Sequence, residues 1–397
     1  MTQVVFGTRR AAAGTALLGL LLGLLLVLAG AGPALAQDVF ETKARQAILI
    51  DARTGRVLFE KDADTAVPPA SMSKLMTMIM VFEALKAGTL TLDQEFTVSE
   101  DAWRRGGATS GGSTMYAVLK SRIKLRDLIT GVVVQSANDA CIAIAEGMAG
   151  SESSFADKMT ARAHELGATN ATFRNATGLP DPDHRMSVRD LSVLARYIIT
   201  SFPEYYNYYS IPEFTWNKIR QENRNPLLKD YPGADGMKTG YTNEAGYGLV
   251  GSALRDGRRL IMVIAGLKSI AERKHEAQAL LDWGFKQFHG IDVYAKGDQV
   301  GRARVWGGTD RNVDLLTADS IRVSLSAHEQ DVAEVKLAYN GPLMAPVVAG
   351  TEVGKVRFVV DGTTVADVAV VTAAAIPAND SMWSHALDSL YIMVFGS

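Results

Sequence analysis

The chain has 397 residues, 47% of them hydrophobic and 21% charged, a composition that suits a soluble globular protein of two domains rather than one. Lys+Arg is 41 against Asp+Glu 43, a formal net charge of −2, so no global field draws the chain to nucleic acid. One cysteine rules out a disulfide framework, and 6 histidines without HExxH or CxxC spacing argue against a metal centre; no cofactor is expected.

The first element is a leader. Arg9 and Arg10 precede an apolar run, and Ala34-x-Ala36 before Gln37 has the form of a cleavage site, so residues 1–36 read as a secretory signal peptide. An uncleaved membrane span is the alternative. The mature chain is then expected outside the cytoplasm. Two apolar runs flank Thr54-Gly55, a hairpin pattern. A helix follows over Ser71–Leu85, entered through Pro68 and Pro69, and Leu125–Gly150 reads as helix, short break, helix. Two strands around Asp256-Gly257 form a second hairpin, and Ala271–Phe288 returns to helix. After Ile291 the texture changes to period-2 alternation, as in Ile321, Val323 and Leu325 or Val356, Phe358 and Val360, which predicts a small all-β sandwich over 291–376. The tail from 377 to 397 is helical and amphipathic. Its apolar arc is Met382, Met393, Ala386, Leu390, Trp383, Val394 and Leu387, and its polar side carries no Lys or Arg. Too short and polar to span a bilayer, it suits a membrane interface or the surface of another chain.

Three short stretches carry chemistry. Ser71 and Lys74, three apart, share one helix face, so the lysine nitrogen can reach the hydroxyl. Serine attacks only when a base takes its proton, and lysine is a base only when neutral; burial and a second cation both favour that form. Ser136-Ala137-Asn138 stands between apolar segments, where a hydroxyl can relay a proton and an amide can hold a substrate carbonyl. Lys238-Thr239-Gly240 projects from a strand, with Gly240 leaving room for close approach of a ligand. Singly, each has a bland reading as a snorkelling lysine, a helix cap or a surface strand lysine.

Taken together and in this order, the three motifs resemble those of the low-molecular-mass penicillin-binding D-alanyl-D-alanine carboxypeptidases. "PASMSKLMT", "QSANDACIA", "DGMKTGYTNEAGY" and "LLDWGF" carry the resemblance over nearly the whole mature chain, with Ala137 where the related β-lactamase motif has Asp. It implies a mixed α/β transpeptidase/β-lactamase-like domain over 37–290. The implied partners are the peptidoglycan pentapeptide stem, β-lactam antibiotics and, through the tail, the outer face of the cytoplasmic membrane. It implies Ser71 as nucleophile, Lys74 as base, Ser136 as proton shuttle to the leaving amine and Asn138 as orienter of the substrate. Lys238 and Thr239 bind the terminal carboxylate, with Arg273 nearby, and Lys238 serves as the second cation that depresses Lys74. The oxyanion hole is formed by the main-chain N–H groups of Ser71 and Tyr241. Two rivals remain: a β-lactamase, for which Asp181 or Asp183 could supply a deacylating carboxylate, and a peptidoglycan-binding scaffold with an inactive site.

Overall fold

The computed structural model describes residues 2–5, 40–379 and, in the tail, 381–383, 385, 386, 389 and 393. The described residues divide into two compact units, Phe40–Lys286 and one from Gln287 onward that also takes in Thr2–Val5. The leader expected over 1–36 lies outside the described residues, except that the backbone of Thr2–Val5 pairs antiparallel with Glu334–Tyr339. Most of the expected tail helix is outside them too. Met382, Trp383, His385, Ala386, Ser389 and Met393 are helical.

The first unit is built on a five-stranded antiparallel sheet of β1 (Gln46–Asp51), β2 (Val57–Lys61), β3 (Ala234–Thr242), β4 (Gly246–Arg255) and β5 (Arg258–Leu267), in the order β2-β1-β5-β4-β3. The β4–β5 turn takes Asp256 and Gly257 at φ 50° and 72°, the left-handed pair that the Asp-Gly dipeptide supplies. Strand residues alternate between two layers. Ile48, Ile50, Ile261 and Val263 face one core, shared with α1 (Lys74–Lys86), α2 (Leu125–Gln135), α3 (Asn138–Ala149), α4 (Glu152–Glu165) and α5 (Val188–Ser201). On the other face Leu49 and Leu260 meet α6 (Ile270–Gln287), so closely that a Cβ on Gly284 would lie 2.4 Å from Leu49.

Helix α1 is apolar all round: Leu75, Met76, Met78, Ile79, Val81 and Phe82 are all buried. A helix of that composition belongs inside a protein, and α1 runs through the middle of the helical layer. Its first turn therefore delivers Lys74 into the interior.

The second unit carries β6 (Phe288–Tyr294), β7 (Gln299–Trp306), β8 (Asn312–Thr317), β9 (Ile321–Ser326), β10 (Glu334–Tyr339), β11 (Glu352–Val360) and β12 (Thr363–Thr372). Strands β10, β11, β12, β8 and β7 form one sheet and β6 pairs with β9 in another. Ile321, Val323 and Leu325 of β9 share a core with Val305, Val313, Leu337, Val356 and Phe358 of the larger sheet, a two-layer packing. His385 of the tail stacks on Trp306 at 4.7 Å, while Met382, Trp383 and Met393 stand 84%, 82% and 82% exposed. No helix among the described residues is long and apolar enough to cross a membrane.

Candidate active site

The site is assembled at the start of α1. Ala70–Ser73 makes a 3₁₀ turn entered by Ala70 at φ 49°, and Ser71 comes out partly exposed while its neighbours Met72, Ser73 and Lys74 are buried. Strand β3 lies alongside this turn. A Cβ on Gly240 would sit 3.0 Å from Pro69 O and Met72 Cγ. Glycine at this position lets the strand and the nucleophile's own turn touch.

Lys74 Nζ is ringed by oxygen. Ser71 Oγ is at 2.9 Å, Asn138 Oδ1 at 2.8 Å, and the Thr177 carbonyl is in hydrogen-bond contact. Asn138 Oδ1 and the carbonyl can only accept. A neutral amine donates two N–H bonds to them and turns its lone pair on the one neighbour able to donate, the Ser71 hydroxyl. Burial, assisted by the positive charge of Arg224, brings the Lys74 ammonium down to about 8 from its ordinary 10.5, against an opposing pull from Cys141, Glu152 and Asp139. Lys238 is buried as well and is held well below its ordinary range by that burial, then by repulsion from Lys74 and Arg224.

The Thr177 carbonyl is a partner that sequence reasoning missed. Its position comes from Asn175, whose Oδ1 accepts Thr177 N at 3.1 Å, Thr177 Oγ1 at 2.8 Å and Gly178 N at 2.7 Å. Glu152 Oε1 accepts Ala176 N at 3.0 Å and holds the same segment. The Asn-x-Thr sequence visible there is a side-chain-capped turn. Gly178, at φ 74°, presses this turn on the nucleophile: an added Cβ would lie 2.0 Å from Ala70 O.

Ser136 closes α2 with φ 59° and ψ 32°, and its buried hydroxyl has no hydrogen-bond partner among the described residues. A buried polar atom left unpaired on a strained backbone is the mark of a site prepared for something else to bind. Asn138 opens α3 and is buried. Its neighbour Asp139, also missed, fastens the facing loop: its carboxylate accepts Thr114 Oγ1 at 2.6 Å, Ala117 N at 3.0 Å and Met115 N at 3.1 Å.

Lys238 and Thr239 are buried in the middle of β3, and Tyr241 at its end is 50% exposed and stacks on Tyr247 at 4.2 Å. Arg273, which the family resemblance puts near the substrate carboxylate, is buried with its guanidinium 5.6 Å from the Tyr247 ring. Its Nε has no partner among the described residues, and burial lowers it to about 10. Asp181 and Asp183 do not join this group: Asp181 Oδ1 accepts Asp183 N at 2.9 Å, and Asp183 pairs with Arg174 at 3.7 Å on the surface. Cys141 is buried, its thiol pushed up to about 12 by burial. Among the described residues no group of three or more His, Cys, Asp or Glu is placed to hold a metal.

This arrangement has counterparts. Residues 33–269 match the D-alanyl-D-alanine carboxypeptidase family, and residues 288–378 match the C-terminal domain of penicillin-binding protein 5. The D-alanyl-D-alanine carboxypeptidase DacC of Escherichia coli is 39% identical over 325 residues, 81% of each chain. Penicillin-binding protein 5 from Haemophilus influenzae superimposes with a TM-score of 0.77 at 33% identity, covering 85% of this chain and 98% of that one. Penicillin-binding protein D2 from Listeria monocytogenes, solved with ampicillin bound, covers 63% of this chain and 100% of its own at 30% identity and a TM-score of 0.56.

Proposed function

The chain belongs to the D-alanyl-D-alanine carboxypeptidase family, and from that premise we propose how its residues carry out the reaction. The enzyme is a serine-type carboxypeptidase that removes the terminal D-alanine of peptidoglycan pentapeptide stems and is acylated by penicillins. The observation that carries the assignment of roles is Lys74: fully buried, and bonded to two pure acceptors and to Ser71 Oγ at 2.9 Å.

Lys74 takes the Ser71 proton as the hydroxyl oxygen attacks the carbonyl of the penultimate D-alanine. The N–H groups of Ser71 and Tyr241 receive the negative charge that develops on the carbonyl oxygen. The C–N bond breaks and the leaving D-alanine nitrogen takes a proton through Ser136. Water then divides the Ser71 ester, releasing the shortened stem and restoring the hydroxyl. Asn138 holds the acyl chain, and Lys238, Thr239 and Arg273 hold the terminal carboxylate. The β-lactamase alternative draws little support from Asp181 and Asp183: the Asp181 carboxylate accepts Asp183 N, Asp183 pairs with Arg174 on the surface, and neither bonds to Ser71 or Lys74.

The enzyme works outside the cytoplasm after removal of residues 1–36, with a catalytic domain that ends at Lys286 and a β-sandwich that begins with β6 at Phe288, a few residues ahead of the 290/291 boundary expected from the alternation. The tail rests on the outer face of the cytoplasmic membrane. The exposure of Met382, Trp383 and Met393 supports that placement. Ser71→Ala decides the mechanism. The folded variant is expected to release no D-alanine and to take up no fluorescent penicillin; uptake at the wild-type rate would remove Ser71 from the reaction.

A further inference from the structure

Arg224 has no task in the reaction described above, yet the fold takes trouble to present it. It stands between Asn223 and Asn225, which are 8% and 1% exposed. Asn223 Oδ1 accepts Asn225 N at 3.0 Å, Asn225 Oδ1 accepts Leu227 N at 3.0 Å, and Asn223 Nδ2 donates to Ile211 O at 2.9 Å. Two successive side-chain turns fix the backbone on both sides of one exposed arginine.

The guanidinium is also held. Arg224 Nη1 donates to Ser113 Oγ at 2.5 Å. The Ser113 carbonyl accepts Asn138 N at 2.8 Å, and Asn138 Oδ1 accepts Lys74 Nζ at 2.8 Å. A continuous path of hydrogen bonds and one peptide chain thus runs from the base to the rim. Arg224 acts electrostatically on Lys74, Lys238 and Arg273. Those three are buried, and none of the four forms an ion pair with a described carboxylate. In their charged forms these groups repel one another, with Glu152 and Asp139 pulling back only on Lys74, and an incoming anion relieves that repulsion. Of the four, Arg224 alone is open to water, so it meets such an anion first.

We propose that Arg224 is a specificity-determining residue for the anionic end of the substrate, held in position by Ser113. This rests on the carboxypeptidase reading, in which Lys238 and Arg273 hold the same carboxylate. Arginine suits the role because its planar fork keeps its charge and geometry while exposed.

The test compares acylation by benzylpenicillin and by its methyl ester, which lacks the anion, in the full-length mature enzyme. Arg224→Gln is expected to lower the second-order rate constant for the acid by about tenfold, the loss of one charge-assisted contact, and for the ester by less than about twofold. It should also flatten the decline of the acid rate with added salt. Arg224→Lys should restore part of the acid rate, and Ser113→Ala should give a smaller loss with the same acid-over-ester selectivity. Equal losses on acid and ester in Arg224→Gln, or an unchanged salt dependence, would overturn the proposal and leave Arg224 a support for the loop. Lys238→Ala is the control: if it discriminates and Arg224→Gln does not, only this inference fails. If neither discriminates, the carboxylate reading fails with it.

Discussion

The acylation rate should follow the protonation of Lys74, and the expected profile can be worked from the structure. Lowering the ammonium from 10.5 to about 8 corresponds to about 3 kcal/mol against the charged form. With a midpoint of about 8, roughly a tenth of the enzyme carries a free amine at neutral pH, against about one part in three thousand for an ordinary lysine. The site therefore gains about 300-fold in usable base without any change of residue type. Below the midpoint the second-order acylation rate constant should rise about tenfold per pH unit, then level off as the amine becomes fully neutral. Stopped-flow acylation with a chromogenic penicillin, from mildly acid to alkaline pH, measures this directly. A flat profile, or one still rising steeply above about pH 10 where an unshifted lysine titrates, would refute the argument. Stability follows the same group. The folded-state value lies below the unfolded one, so burial costs the fold about 3 kcal/mol at pH values below the folded midpoint. That cost disappears as pH rises through the unfolded value near 10.4.

Lys74→Arg should abolish acylation although it keeps the charge, because a guanidinium does not surrender its proton in water; acylation near the wild-type rate would make Lys74 structural. Asn175→Ala removes the acceptor of three buried hydrogen bonds and should destabilise the unit by about 2–4 kcal/mol, read by denaturant unfolding; a loss under about 0.5 kcal/mol would mean that the Thr177 turn stands by itself. Truncation before Asp380 should yield an active enzyme that no longer sediments with lipid vesicles. The longer mature chain should stay bound in high salt, since its tail offers no Lys or Arg to anionic lipid; a mature chain that stays in solution would favour packing on another protein.

Side-chain chemistry at fixed spacing was legible in the sequence. Ser71 and Lys74 show as a pair because a helical turn sets their separation, and the hydroxyl-and-amide motif at Ser136 and Asn138 and the amine-and-hydroxyl motif at Lys238 and Thr239 announce themselves by residue type. The Asp-Gly turn and the alternating strands were legible because local backbone preference and period-2 burial are written in consecutive residues. What stayed hidden acts through the main chain or over long separations. The Thr177 carbonyl that receives Lys74 exists at every residue, and only the turn made by Asn175 gives it significance. Arg224 reaches Ser113 across 111 positions, and no periodicity connects them. Asp139 went unread in the sequence, because the loop it fastens, at Thr114, Met115 and Ala117, lies more than twenty positions away. The contact of Gly240 with the turn before Ser71 also stayed hidden, because the pattern of one strand says nothing about which turn lies against it.

The left-handed backbone of Ser136 bears on how its hydroxyl should be interrogated. At φ 59° and ψ 32° an L-residue carries a conformational penalty of about 1 kcal/mol that glycine escapes. Alanine there would delete the oxygen while keeping the penalty, and the chain could relax by letting the α2–α3 junction unwind. Such unwinding would drag Asn138 and the Asp139 fastening out of place, and a dead variant would report on geometry as much as on proton transfer. Glycine deletes the same oxygen from a junction content to remain where it is. The difference in activity between those two replacements separates what the hydroxyl does from what the bend does.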